Sequence, residues 1–162
     1  LFRSTPAPRA HALFADKRNL VLLSDPVAMA QIGLAAEDLA ALGAVPSTVR
    51  LTAADAEALW ADRKSYFFKP FAGHAGKAVY RGDKITTTVW DHIVSEGRHV
   101  AQRSVKPSHR NVLIDTVAMD RKADIRLHTH CGAVLLAAAR IYQGQTTNFR
   151  TIGGGFSPVI VL

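Results

Sequence analysis

The chain reads as an α+β protein, on three observations. Its front half alternates helix-like stretches with short apolar strands. Its back half is a run of strand candidates broken by turns. Its composition, 48% hydrophobic and 20% charged over 162 residues, is that of a folded globular chain long enough for one good core or two small lobes. Among the charges, 20 Lys and Arg face 13 Asp and Glu, a net of +7 that favours an anionic partner. The single cysteine, Cys131, excludes an internal disulfide framework and fits a reducing, cytoplasmic setting. No apolar run reaches the roughly 18–20 residues that cross a bilayer. Neither a membrane span nor a signal peptide is expected. The opening Leu1 and the apolar closing run Pro158–Leu162 suggest a piece of a longer protein.

Residues 1–11, with Pro6 and Pro8, read as an irregular linker or the remnant of a preceding region. Asp16–Leu23 predicts a short helix ended by Ser24-Asp25-Pro26, and the alanine- and leucine-rich Pro26–Ala44 predicts more helix, stopped by Gly43. Pro46–Leu51 is strand-like, and Thr52 is placed to cap a helix running to Asp62. Tyr66–Lys69 reads as a buried strand, and Ala78–Arg81 as a second short one. Thr86–Glu96 suits a helix with Trp90, Ile93 and Val94 inward; Trp60 and Trp90 both fall on apolar faces. His99–Val105, Asn111–Ala118, Asp124–His130 and Val134–Tyr142 then read as strands.

Between the strands Tyr66–Lys69 and Ala78–Arg81 lies the most informative segment, Lys69-Pro70-Phe71-Ala72-Gly73-His74-Ala75-Gly76-Lys77. Proline stops the strand, and Gly73 and Gly76 free the backbone for close approach to a ligand. Lys69 and Lys77 flank a loop whose N–H groups can converge on polyphosphate. No Gly-Lys-Ser/Thr opens a helix, so this is not a Walker loop; a basic surface hairpin is the plain alternative.

Further on, strand alternation puts Asp124, Arg126, His128 and His130 on one face, with Ile125, Leu127, Thr129 and Cys131 on the other. A three-residue turn at Cys131–Ala133 would bring Asp124 and Arg140 to the same side, and a two-residue turn would separate them. Asp124 and Asn148 could supply the one or two protein oxygens that magnesium needs beside phosphates, with Arg126, Arg140 and the lysines balancing phosphate charge. A surface ion pair and an ordinary Thr-Thr-Asn turn are the structural alternatives. His128-x-His130-Cys131 invites zinc, but further ligands at suitable spacing are missing, and Cys131 reads as a small core residue. A nucleic-acid role is the rival from another class, although the cations are spread along the chain rather than gathered into one stripe.

Taken in order, several short motifs resemble the nucleotide-binding core of ATP-grasp proteins. They are Asp16-Lys17, Val45-Pro46-Ser47-Thr48, Phe68-Lys69-Pro70 with its glycine loop, Val100-Ala101-Gln102, Asp124-Ile125-Arg126, Ala139-Arg140-Ile141, and Thr147-Asn148 before Gly153-Gly154-Gly155. The spacing is most similar to the circularly permuted, glutathionylspermidine-synthetase-like group, and the resemblance runs over residues 12–162. It implies two α+β lobes with antiparallel sheets clamping ATP, the smaller at about residues 46–98 and the larger at about 99–162.

The same resemblance implies roles for particular residues. Lys69 would reach the α-phosphate and adenine edge, Lys77 with Gly73 and Gly76 would cover the β- and γ-phosphates, and Gln102 would meet adenine. Asp124 and Asn148 would hold Mg2+, and Arg126 and Arg140 would face the transferring phosphoryl group. The implied chemistry is ATP-dependent ligation of a small-molecule or peptide carboxylate to an amine or thiol through an acyl phosphate. Thr146 stands where the family usually carries a glutamate, which predicts weaker magnesium binding and makes a catalytically silent nucleotide-binding module the alternative.

Overall fold

A computed structural model describes residues 8–73, 76–144, 149 and 151–160. It is a small α+β protein with two four-stranded antiparallel sheets, one in each of two compact units that divide after Val105.

The first unit opens with four short helices: α1 (Pro8–Phe14), α2 (Arg18–Leu23), α3 (Pro26–Gln31) and α4 (Ala36–Leu42). The segment expected to be irregular up to His11 is helical from Pro8 onward, with proline at the first helical position, where its missing N–H costs nothing. The further helix expected over Pro26–Ala44 is present and divided into two. Asp25 caps the first by accepting from the Val27 and Ala28 amides at 3.0 and 3.1 Å, and Gly33, at φ +85°, stands in the break before the second.

The first sheet has the order β1 (Thr48–Arg50), β4 (His99–Arg103), β2 (Tyr66–Pro70), β3 (Tyr80–Arg81), with helices α5 (Ala56–Ala61) and α6 (Thr87–Glu96) between its strands in sequence. Thr86, expected inside the helix, caps α6 instead, its side chain accepting from the Val89 amide. Thr52 does not cap α5; its hydroxyl donates to Asp55 Oδ2 at 2.5 Å, and the helix starts at Ala56. Phe68 and Ala101 face each other across β2 and β4, and with Leu51, Leu59, Trp90 and Ile93 they form the core. Trp90 meets Phe68 edge-on at 5.0 Å and Trp60 at 5.2 Å. By alternation the opposite face of this sheet carries Thr48, Arg50, Phe67, Lys69, Val100 and Gln102.

The second unit is a meander in sequence order: β5 (Ser108–Ile114), β6 (Val117–His130), β7 (Ala133–Tyr142) and β8 (Gly155–Pro158). The strands expected over Asn111–Ala118 and Asp124–His130 are instead divided by a tight turn at Asp115-Thr116, both at left-handed φ, and β6 continues unbroken from Val117. Arg121 is buried and donates to the Ile152 carbonyl at 3.1 and 2.9 Å, tying the segment before β8 to the sheet. Ile125 and Leu127, expected on a core-facing side, are 63% and 57% exposed. The strand at His99–Arg103, expected to open the larger lobe, pairs between β1 and β2 in the first unit.

Candidate functional site

Lys69 leaves β2 on the polar face of the first sheet, one residue before the proline that ends the strand's pairing. Because Phe67 is in register with Gln102, the Lys69 ammonium reaches diagonally to Gln102 Oε1 at 2.5 Å. Gln102 is buried and donates in turn to Thr48 Oγ1 at 3.1 Å, and Thr48 donates to the Pro46 carbonyl at 2.9 Å. This relay fixes Gln102 with its carbonyl oxygen toward the lysine. Burial is the main cause, and the neighbouring Lys17 the second, of a Lys69 pKa below the ordinary lysine value. No carboxylate among the described residues pairs with it. Among the described residues, Lys69 is thus a half-buried cation whose one hydrogen-bond acceptor is a neutral amide.

Lys17 approaches from the turn before α2. Its backbone amide donates to the Phe71 carbonyl at 2.9 Å, and its ammonium donates to the Gly73 carbonyl at 3.1 Å. Both contacts anchor the start of the glycine loop. Gly73 at φ +129° and Gly76 at φ +73° take the backbone conformations for which glycine is suited, and Ala78 at φ +54° keeps the following strand from starting before Tyr80. Lys77 is exposed, with no hydrogen-bond or ion-pair partner among the described residues. His74 and Ala75 lie outside the described residues.

In the second unit Asp124 and Arg140 face each other across β6 and β7, with Nε to Oδ1 at 2.5 Å and Nη2 to Oδ2 at 3.0 Å. The turn has two residues, Cys131-Gly132, a length that alone would put these side chains on opposite faces. A bulge restores the phase: His128 pairs with Leu136 and Thr129 with Val134, so Leu135 is the extra residue. Burial, and then the adjacent Asp124 charge, raises the Tyr142 phenol above its ordinary value. Arg126 shares this face but is exposed, with no partner among the described residues. His128 and His130 are exposed too, and no group of three potential metal-ligating side chains occurs among the described residues. Asp120 pairs with His109 at 2.7 Å, while Thr146, Thr147 and Asn148 lie outside the described residues.

Of the expected site residues, two pairs are therefore in contact, Lys69 with Gln102 and Asp124 with Arg140, one pair in each unit. Sequence reasoning passed over a further group in the first unit: Arg18, Arg50, Phe71, Glu96, Arg98 and His99 line a cavity of about 700 Å³. The usable signal was Gly97-Arg98-His99, a cation and an imidazole straight after a helix stop, and Arg50 two residues from Thr48 on the same strand face.

No protein-family model and no curated protein matches this sequence. Among the described residues no helix is long and apolar enough to cross a membrane.

Proposed function

We propose that this chain is the ATP-binding part of an ATP-dependent carboxylate–amine or carboxylate–thiol ligase of the ATP-grasp kind. The observation that carries the reading is Lys69, a half-buried ammonium held by Gln102 with no carboxylate partner among the described residues, at the root of a glycine loop. Desolvation makes such a charge costly, and a phosphate oxyanion beside it recovers that cost. Lys69 binds the α-phosphate, Gln102 orients the adenine edge, and Lys77 with the Gly73–Gly76 backbone covers the β- and γ-phosphates. Asp124 and Asn148 are the residues that would hold Mg2+, which would supply positive charge against the phosphates. Arg126 and Arg140 stabilise the phosphoryl group as a substrate carboxylate takes it, and an amine or thiol then displaces phosphate from the acyl phosphate.

Asp124 is a fitting oxygen donor only if it shares its carboxylate with Arg140, which already engages both of its oxygens. That tie, together with Thr146 in place of a glutamate, supports a second reading, a nucleotide-binding module without ligase activity. Thermal unfolding with millimolar Mg-ATP or Mg-ADP tests the shared part of both readings. Stabilisation that Lys69→Met reduces is expected by mass action. No shift with either nucleotide sinks both, and salt-sensitive binding of an oligonucleotide in its place would favour a nucleic-acid role. Release of ADP with a carboxylate and amine pair then separates ligase from silent module.

A further inference from the structure

We propose that the cavity beside Phe71 is an oxyanion site for a small organic carboxylate or phosphate ester, separate from Lys69. At about 700 Å³ it lies within the size range of small-molecule sites. Arg18 and Arg50 both stand over the Phe71 ring, with guanidinium carbons 5.1 and 5.4 Å from its centroid. Packing against an aromatic ring holds a guanidinium flat and leaves its N–H groups free to fork onto an oxyanion. Arg18 is already neutralised by Asp16 at 2.7 Å. Arg50 and Arg98 have no carboxylate partner among the described residues, and the three arginines of the wall outnumber its two carboxylates, Asp16 and Glu96, by one.

His99 belongs to the same wall and is placed to report on a bound charge. It is 2% exposed, its ring nitrogens are shielded from solvent, and the Glu96 carboxylate stands 3.6 Å from Nδ1. Burial holds this imidazole below its usual pKa, against the opposing pull of Glu96 and the Ala78 backbone. A ligand bridging Arg50 and Arg98 would meet both unpaired guanidinium groups, and its charge would be felt at the His99 ring.

The test uses the full chain, isotope-labelled, with the histidine ring signals followed while inorganic phosphate in one arm and succinate in the other replace chloride at constant ionic strength. A saturable shift of the His99 ring is expected, with phosphate alone identifying a phosphate ligand and succinate alone a carboxylate. Arg50→Met and Arg98→Met, both at exposed positions, should each weaken binding about 10-fold or more while tryptophan fluorescence confirms the fold. Lys69→Met should leave the affinity unchanged, so failure of nucleotide binding and failure of this site are distinguishable. Absence of a saturable His99 shift in both arms overturns the proposal. So does unaltered affinity in both arginine variants, or loss of binding in Lys69→Met.

Discussion

Replacing Lys69 by methionine keeps most of the apolar stem and removes only the charged head, which makes it a direct probe of a half-buried ammonium. Its folded pKa lies below the unfolded lysine value, so between the two the unfolded chain binds more protons and stability rises with pH. The gain from this one group is complete above the unfolded pKa and is lost as pH falls through the folded one. Within that window the wild-type chain should gain up to about 1.4 kcal/mol per pH unit over Lys69→Met, and below it the difference should be flat. Near neutrality the substitution also leaves Gln102 Oε1 without its donor, a cost of about 1–3 kcal/mol set against relief from burying the charge. Urea unfolding followed by tryptophan fluorescence is the assay, because Trp60 and Trp90 are the chain's two tryptophans and both belong to the first unit. Nucleotide affinity should fall about 10- to 100-fold, the worth of one charge-assisted hydrogen bond. Parallel pH–stability curves for the two proteins would refute the burial argument.

Other perturbations test the rest of the structure. Gly82→Ala would place a Cβ 1.7 Å from the Arg63 carbonyl oxygen, a backbone atom that cannot step aside; a loss of about 3 kcal/mol in urea unfolding of the first unit is expected. Asp124→Asn should cost about 1 kcal/mol, since the Asp124 and Arg140 side chains remain 30% and 25% exposed. The same change should lower the Tyr142 pKa without normalising it, because burial is the larger cause; an ultraviolet phenolate titration against Tyr142→Phe reads this. Ile125→Thr with Leu127→Thr should change stability by less than about 1 kcal/mol, and a loss of several would mean that this face is covered in solution.

What could be read in advance from the residues was local. The helix expected over Thr86–Glu96 and the Phe68 strand each depend on a few neighbouring side chains, and each is found within a residue of its expected bounds. The turn at Asp115-Thr116 escaped because no glycine marks its left-handed backbone. The charged stretch Met119–Ala123 looked like a break between strands, yet it alternates Met119 and Arg121 on one face with Asp120 and Lys122 on the other. Cys131, expected in a core, sits exposed at a hairpin tip. The site posed a harder problem because its contacts depend on register. That Lys69 meets Gln102 follows from Phe67 standing opposite Gln102, which neither residue's own surroundings reveal. His99 was legible as a strand residue but not as a buried one, since that depends on what packs over it.

The bulge at Leu135 bears on how relatives of this chain should be recognised. Asp124 and Arg140 meet although the hairpin between them has a two-residue turn, because the bulge absorbs one residue. A relative with that residue deleted and a regular hairpin would present the same ion pair from positions one residue closer in sequence. Spacing between the two charges is therefore not an invariant of the pair. A pattern written with a fixed gap would discard chains that keep the contact and accept chains that keep the gap but have turned the arginine to the other face.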